Sequence, residues 1–410
     1  MRSNYKRLED YINLVDKRNR NLQIDNLIGL SIQKKFIPSI SNTIGTDMST
    51  YRILNKNQFA YCSVTSRNGE KITIALYQED KTAMVSQAYD VFEIKDEKEL
   101  LPEYLMMWFR RPEFDRYARF MSHGSVREMF SWEEMCNTEL PIPSPEKQKE
   151  IVKEYNAIVD RINLNNQLIQ KLEETAQAIY KQWFVDFEFP DAAGKPYKTN
   201  GGELVESELG DVPKGWELKE ISSICEITSS KRIFESEYQK YGIPFYRGKE
   251  ITQKKAGAVI SDLIYISYKR YDELIKNYGK PSKGDILMTA VGTIGSTYMV
   301  DEEEFYFKDG NVIWFKNFKY ENSNYLLYDF MQTEQFTNLI NEITIGSTQS
   351  AITIKTFGQQ KIVFPSKYIL QKYMISSMNL NNCLKMKKKQ QIALSTLKDL
   401  LLSKLATIEN

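Results

Sequence analysis

The sequence repeats short motifs and apolar positions after 222 residues, which requires the chain to fold as two similar halves. Gly124-Ser125 and Pro143-Ser144 return as Gly346-Ser347 and Pro365-Ser366. The same shift carries an apolar series onto a second one, which consists of Leu380, Leu384, Leu394, Leu401 and Leu405. Two similar halves offer two similar surfaces at a fixed separation, which suits the reading of two sites on one long partner.

The segment after the first repeated proline has the 4,3 apolar spacing of a long helix. From Glu146 to about Phe184 this seam comprises Ile151, Tyr155, Ile158, Ile162, Asn165, Ile169, Leu172, Ala176, Ile179 and Trp183. A heptad seam predicts a partner helix, and we expect the second long helix, 366–407, to pair with it antiparallel about an approximate two-fold axis. The polar Asn165 fits either a buried residue that fixes register or a solvent-tolerant position.

The segments before the two helices have mixed α/β character. Strands are predicted at 59–61, 72–76, 264–266, 286–288 and 312–315, a helix at 103–120, and a short opening helix over Leu8 to Val15. The fold class that we predict is α+β, with two similar mixed α/β domains joined by two long helices that pack as an antiparallel coiled coil. The predicted boundaries are 1–145 for the first domain, 146–189 for the first helix, 190–215 for a linker, 216–365 for the second domain and 366–410 for the second helix.

Composition and motifs argue against several classes of protein. The net charge of +1 is small for a lone nucleic-acid binder, and the four cysteines form no CxxC pair, which favours reduced thiols and a cytoplasmic protein. The sequence has no phosphate-binding GxxxxGK[ST] loop and no GxGxxG after a strand, and His123 is its one histidine. We therefore expect a binding and positioning protein without catalytic residues, a metal site or a cofactor of its own.

The order of these segments resembles the specificity (S) subunit of type I restriction–modification enzymes. The motifs that carry the resemblance are Gly210-Asp-Val-Pro213-Lys-Gly-Trp216-Glu, Gly284-Asp285-Ile286-Leu287, Gly346-Ser347-Thr348-Gln349, Pro143-Ser-Pro145-Glu-Lys-Gln148-Lys-Glu-Ile151 and Ile179-Tyr180-Lys181-Gln182-Trp183-Phe184. The resemblance covers nearly the whole chain. One departure is the second proline region, 364–367, which lacks the counterpart of Glu146-Lys147-Gln148.

The resemblance implies that each mixed domain is a target-recognition domain that reads one half of a bipartite double-stranded DNA sequence. It implies that the paired helices set the spacing and dock two methyltransferase (M) subunits, which restriction (R) subunits join. The S subunit would catalyse nothing, whereas the complex would act as an adenine methyltransferase and an ATP-dependent endonuclease in phage defence. S-adenosylmethionine, ATP and Mg²⁺ would then belong to the partner subunits.

DNA recognition needs cations that contact phosphates and side chains that contact base edges. In the first domain we expect these contacts from Arg67, Asn68, Lys71, Ser125 and Arg127. In the second domain we expect them from Arg247, Lys249, Thr289, Thr293, Ser296, Thr348, Gln349 and Ser350. For each of these residues, a solvated position in a loop is the competing interpretation.

Two other classes of protein remain open on the sequence. A coiled-coil scaffold or adaptor without DNA reading would explain the helical seam and the near-neutral charge, but not two matching strand-rich segments. A relative of a single-chain restriction–methyltransferase would need methyl-donor and nuclease motifs, and the sequence contains neither.

Overall fold

The computed structural model describes residues 5–39, 45–66, 71–124, 128–260, 262–344 and 351–408. The chain divides into two compact units, of which the first comprises Met1–Asn163 with Leu394–Asn410 and the second comprises Leu164–Ala393. Each long helix therefore contributes residues to both units. Within the described ranges, no helix has the length and apolar character needed to cross a membrane.

The first unit is built around an antiparallel sheet with the strand order β2-β9-β6-β7. Its strands are β1 (Tyr5–Arg7), β2 (Ile12–Val15), β3 (Ile28–Leu30), β4 (Phe36–Pro38), β5 (Arg52–Leu54), β6 (Phe59–Cys62), β7 (Ile74–Leu76), β8 (Ala83–Val85), β9 (Tyr89–Ile94) and β10 (Glu139–Pro141). Its helices are α1 (Pro102–Phe109), α2 (Pro112–Phe120), α3 (Trp132–Asn137) and the first half of α4 (Pro145–Phe184). Strand β1 pairs with β10, β3 with β4, and β5 with β8.

The second unit is built around an antiparallel sheet with the order β14-β20-β17-β18. Its strands are β11 (Leu204–Val205), β12 (Val212–Pro213), β13 (Glu217–Glu220), β14 (Glu226–Thr228), β15 (Ile243–Tyr246), β16 (Ile264–Ile266), β17 (Ile286–Thr289), β18 (Thr297–Met299), β19 (Tyr306–Phe307), β20 (Val312–Lys316) and β21 (Lys361–Phe364). Its helices are α5 (Ile221–Ile224), α6 (Gly248–Ala256), α7 (Tyr268–Tyr278), α8 (Ser323–Phe330), α9 (Glu334–Ile343), α10 (Ile354–Gly358) and most of α11 (Lys367–Lys404).

The two sheets have the same topology, so the sequence repeat is also a structural repeat. Strands β2, β6, β7 and β9 correspond in chain order and pairing to β14, β17, β18 and β20. The ribbon β1–β10 corresponds to β13–β21, and α1, α2 and α3 correspond to α8, α9 and α10. The predicted fold class is confirmed. The units differ in what is inserted around this shared core, which is two small strand pairs in the first and the sheet β16-β15-β19 with α6 and α7 in the second.

Two local predictions for the first unit were wrong. The expected opening helix is a 3-10 turn, Leu8–Asp10, followed by β2, because pairing of Ile12–Val15 with β9 outweighs a weak helical pattern. The expected helix 103–120 is two helices. Pro112 occupies the first turn of α2, where its missing N–H is tolerated, whereas the interior of one long helix would lose a hydrogen bond there.

The core of the first unit includes residues from both long helices. The sheet contributes buried residues such as Phe59 and Phe92, whose rings stack with centroids 4.8 Å apart. Ile151 and Tyr155 of α4 and Leu402 of α11 belong to the same buried cluster. The two helices therefore complete the core of the domain that precedes α4.

The core of the second unit has the same arrangement. Tyr180 and Trp183 of α4 pack in one cluster with Phe315 of the sheet and Tyr373 of α11. The ring centroids of Trp183 and Tyr373 lie 5.5 Å apart. Because early residues of α4 meet late residues of α11 in the first unit, and late residues of α4 meet early residues of α11 in the second, the two helices are antiparallel.

The predicted linker is also packed into the second unit. Phe189 stacks on Tyr197 and on Trp216, with ring centroids 4.6 and 4.8 Å apart. The Asp191 carboxylate accepts hydrogen bonds from the backbone N–H groups of Ala193 and Lys195. These contacts give the segment after α4 a defined conformation.

Asn165 lies at the middle of the helix pair and is 2% exposed. Its Nδ2 donates to the Lys387 carbonyl oxygen and to Gln391 Oε1, both at 2.9 Å. Lys387 follows Asn165 by 222 residues, the shift of the sequence repeat, so a residue meets its own equivalent as a local two-fold axis requires. Of the two interpretations of Asn165, the structure supports the buried one.

The basic middle of α11 contacts elements of the second unit. Lys388 Nζ lies 2.8 Å from a Glu173 carboxylate oxygen of α4 and donates to the carbonyl of Lys255 at the end of α6, at 3.1 Å. Lys385 pairs with Asp301, which follows β18. The lysine-rich stretch thus makes defined contacts in which it caps an inserted helix.

Gln148 explains the departure between the two proline regions. It is buried in the first turn of α4, where its Nε2 donates to the carbonyls of Glu99 and Pro143, at 2.8 and 2.9 Å. Its Oε1 accepts from the N–H of Leu101 at 2.8 Å. At the equivalent position of α11 stands the buried Leu370, which packs in the second core instead.

The contact between Asn165 and Gln391 should be measurable as a coupling energy. In a double-mutant cycle with Asn165→Ala and Gln391→Ala, we expect a coupling of about 0.5–1.5 kcal/mol in the free energy of urea unfolding, the usual net value of one hydrogen bond. The same cycle with the exposed Gln167→Ala in place of Asn165→Ala should give a coupling near zero. Equal couplings for both pairs would contradict the buried contact.

Asp329 is a buried carboxylate that joins α8 to α11. It accepts hydrogen bonds from Tyr373 at 2.7 Å, from Ser377 and from Asn381. Burial raises the pKa of Asp329 above its ordinary value, although these three hydrogen bonds act in the opposite direction. The folded chain therefore keeps a proton on this carboxyl at pH values at which the unfolded chain has lost it.

This raised pKa predicts the sign of a pH dependence. Asp329 should stabilise the fold most below the unfolded pKa of about 4, and its contribution should decline as the pH rises through the folded pKa. Asp329→Asn, which cannot titrate, should remove this decline. Urea unfolding of the wild type and the variant between pH 4 and 8 tests the idea, and parallel curves would refute it.

Candidate nucleic-acid interface

In the first unit, the loop between β6 and β7 lies against the segment between α2 and α3. Thr65 N donates to the Glu128 carbonyl at 3.0 Å, and Phe130 N donates to the Ser63 carbonyl at 2.8 Å. The hydroxyl of Thr65 also donates to Ser122 Oγ at 2.9 Å. Backbone pairing thus brings together the two segments that hold the predicted DNA contacts of this domain.

In the second unit, the equivalent loop between β17 and β18 meets the equivalent segment between α9 and α10. Ile352 N donates to the Ala290 carbonyl at 3.2 Å, and Val291 forms a β-bridge with Ala351. The same pair of loops is therefore joined at the same place in both halves. This recurrence makes the loop pairs the candidate site of each domain.

Seven of the thirteen predicted contact residues lie outside the described residues: Arg67, Asn68, Ser125, Arg127, Thr348, Gln349 and Ser350. In the sequence they lie between described segments that the backbone hydrogen bonds above join. The described Lys71 is exposed and stands next to Ile72, whose N–H donates to the Asp115 carboxylate at 3.1 Å. Thr293 is exposed at the tip of the equivalent loop in the second unit.

Thr289 is fully buried, with 0% of its surface exposed, so the structure gives it a different position from the expected surface contact. Its Oγ1 accepts a hydrogen bond from the N–H of Ser296 at 3.0 Å and donates to the carbonyl of Thr293. Ser296 is also buried. Thr289 and Ser296 thus support the loop 290–295 from inside the domain, and the side chain of Thr293 stays exposed.

The loop needs glycine at two positions. Gly292 and Gly295 have φ angles of +76° and +78°, in the left-handed region that other residues rarely adopt. A Cβ on Gly295 would also lie 3.4 Å from the Phe336 ring of α9. The Gly292-Thr-Ile-Gly295 sequence is therefore a tight turn seated on α9.

Arg247 and Lys249 stand at the start of α6. The guanidinium of Arg247 donates to both carboxylate oxygens of Glu250, at 2.7 and 3.1 Å. Burial alone would raise the pKa of Glu250, but the hydrogen bonds from Arg247 outweigh it and hold that pKa below its ordinary value. Arg247 is thus engaged within the chain, whereas Lys249 Nζ lies 3.8 Å from the exposed Asp262 and is the freer cation of the two.

The sequence alone did not point to Thr65, Ser122 or Ile352 as parts of the site. Their role is to join two segments that are far apart in the chain, and an unaligned sequence carries no signal of such pairing. The repeated Gly-Ser dipeptides mark only one member of each loop pair.

The family model described as the type I restriction modification DNA specificity domain matches this chain twice, over residues 4–174 and 213–402. Each match contains one of the loop pairs. The specificity subunit of the type I restriction enzyme HindI of Haemophilus influenzae is 24% identical over 91% of this chain and 91% of its own length. The MjaIX specificity subunit of Methanocaldococcus jannaschii is 26% identical over 75% of this chain and 68% of its own length.

A solved structure supports the fold. The crystal structure of a type I restriction–modification system S subunit from M. genitalium matches 99% of this chain and 96% of its own chain, with a TM-score of 0.59 and 14% sequence identity. At that identity the likeness concerns the fold.

The hydroxyl of Thr289 should be required to hold the loop 290–295. Thr289→Val keeps the shape but leaves the Ser296 N–H without its acceptor, which should lower the free energy of unfolding by about 1–3 kcal/mol and speed hydrogen exchange of that N–H. Thr289→Ser, which retains the hydroxyl, and the exposed Thr293→Val should leave exchange at Ser296 close to that of the wild type. Unchanged exchange in Thr289→Val would exclude this role.

Proposed function

Because the chain belongs to the family of type I restriction–modification specificity subunits, we propose that it selects the DNA on which such an enzyme acts. In this proposal each domain reads one half of a bipartite double-stranded target. The observation that carries it is the repeated loop pair, since one binding geometry occurs twice on the same sheet topology. Two equivalent readers suit a target with two separated halves.

Within each domain we propose that some residues contact phosphates, that others contact base edges, and that the backbone positions the loops. The cations of this proposal are Lys71, Arg67 and Arg127 of the first domain and Lys249 of the second, whose charges suit phosphates or guanine edges. Gln349 and Asn68 have the donor and acceptor pair that adenine requires. The backbone hydrogen bonds at the base of each loop would fix the position of the loop. These bonds do not depend on which side chains the rest of the loop carries.

We propose that the helix pair sets the distance between half-sites and docks two methyltransferase subunits. Leu164 of α4 and Met386 of α11 are equivalents in the repeat, and both are apolar and exposed, by 48% and 63%. Equivalent exposed apolar residues on two paired helices suit two copies of one partner. Restriction subunits would join through those partners.

On this proposal the chain needs no catalytic group of its own. S-adenosylmethionine would bind to the methyltransferase subunits, and ATP and Mg²⁺ would bind to the restriction subunits. The complex would work in the cytoplasm, where the DNA lies. In the described part of the chain, no group of three or more His, Cys, Asp or Glu residues could hold a metal ion.

Exchanging one loop at a time tests the proposal. The chain is assembled with its methyltransferase subunits, and methylated duplexes are selected from a random library and sequenced. We expect a bipartite motif with a fixed gap. Replacing 63–71 with a loop from another specificity subunit should change one half of the motif, and replacing 290–295 should change the other half at the same gap.

The two loop exchanges serve as controls for each other. A single contiguous motif, or a change in both halves from one exchange, would contradict separate readers. Methyltransferase assembly without any sequence preference would instead favour a coiled-coil scaffold.

A further inference from the structure

The first unit contains a cavity of about 390 Å³ that is lined by residues of α1 and α2. Trp108 and Arg111 line it together with the aromatic rings of Phe114 and Tyr117. Glu139 of β10 also borders it. The cavity thus combines apolar walls with a cation.

Two buried N–H groups of this cavity have no acceptor among the described residues: Trp108 Nε1 and Arg111 Nε. Trp108 is 7% exposed and Arg111 is 5% exposed. The guanidinium carbon lies 4.2 Å from the centre of the Trp108 ring, so both donors belong to one stacked pair. Buried donors of this kind normally have partners, and those that lack one call for an explanation.

The carboxylate of Glu113 does not supply the missing hydrogen-bond acceptor for Arg111. Glu113 is half-exposed and its oxygen lies 3.6 Å from an Arg111 terminal nitrogen, which is an ion pair beyond normal hydrogen-bond length. Burial lowers the pKa of Arg111, although the nearby charge of Glu113 acts in the opposite direction. An additional anionic oxygen would satisfy the guanidinium.

Arg111 also stands at the start of the helix that follows. Arg111 is the N-cap residue of α2, where a side-chain acceptor is usual, and it provides none. A cation at this position also meets the positive end of the helix dipole. Glu113 and Asp115 in the first turn of α2 offset that dipole, so the preference of the cavity for an anion comes from the two buried side-chain donors.

At the equivalent positions, the second half of the chain has hydrogen-bond acceptors whose donors lie within the chain. At the N-cap of α9, Thr333 accepts a hydrogen bond from Phe336 N at 3.1 Å. In the register that places Phe109 on Phe330, Trp108 corresponds to Asp329, whose carboxylate accepts from Tyr373 at 2.7 Å. The first half replaces both acceptors with donors, and those donors line a cavity.

We propose that this cavity binds a carboxylate group of a partner polypeptide, either an acidic side chain or a chain terminus. A single carboxylate matches the two donors, and the aromatic walls suit its apolar neighbours. The carboxylates of Glu113 and Glu139 at the cavity would repel a polyanion, which disfavours the DNA backbone. The site is thus separate from the DNA-reading loops.

Indole ¹⁵N NMR of the full chain, which has five tryptophans, provides a direct test. The Trp108 signal is assigned with Trp108→Phe and followed during titration with benzoate, with benzamide as the neutral control. We expect a saturable shift with benzoate only. No shift, or an equal shift with benzamide, would overturn the proposal.

Two variants and a matched control sharpen the result. Arg111→Gln should abolish the response, whereas Arg116→Gln, an exposed arginine of the same helix that also pairs with Glu113, should retain it. Glu139→Gln keeps both donors and removes a repelling charge, so benzoate should bind about 2- to 5-fold tighter, the effect of one exposed charge. This variant keeps the proposal falsifiable if Arg111→Gln fails to fold, and unchanged or weaker binding would count against it.

Peptide and DNA titrations identify the source of the carboxylate. A capped peptide with one internal glutamate represents a side chain, and a peptide with a free terminal carboxylate and no acidic residue represents a chain terminus. A shift with either peptide supports the proposal, whereas a shift with a short DNA duplex but neither peptide overturns it. The half-site motif from the loop exchange is read independently, so the failure of one proposal leaves the other standing.

Discussion

The packing of α4 against α11 is the interaction on which both units depend. Neither core is closed by its own sheet and short helices, because Tyr155 and Leu402 complete the first core and Trp183 and Tyr373 complete the second. Burial of these large side chains contributes on the order of 1.5–3 kcal/mol each. A change that separates the helices would therefore open both cores.

The two halves share one topology and differ in which buried polar groups they contain and in the hydrogen-bond partners of those groups. Gln148 binds three backbone groups where the second half has the apolar Leu370. Trp108 occupies the position at which the second half has the hydrogen-bonded Asp329. A repeat can change one buried polar contact at a time without changing its fold, provided that each new group finds a partner. The cavity at Arg111 is the place where this partner has to come from another molecule.

Backbone hydrogen bonds hold the segments of each candidate interface together, whereas side chains would make the contacts with DNA. Hydrogen bonds such as those of Thr65 and Ile352 join loop stems without regard to the residues at the tips. These backbone contacts do not depend on the side chains that the adjoining loop residues carry. Thr289 has the same supporting function from inside the domain, although its residue type alone suggested a surface contact.

The sequence by itself determined the repeat, the heptad seam and the strands at the centre of both sheets, because these depend on periodic burial along a local stretch of chain. It also led to the family through the order of its motifs. Only the tertiary structure decided that Leu8 to Val15 forms a turn and a strand, that Asn165 is buried against its own repeat equivalent, and that Thr289 lies beneath its loop. Each of these outcomes depends on a partner distant in the chain, and local patterns carry no information about which distant residue that partner is.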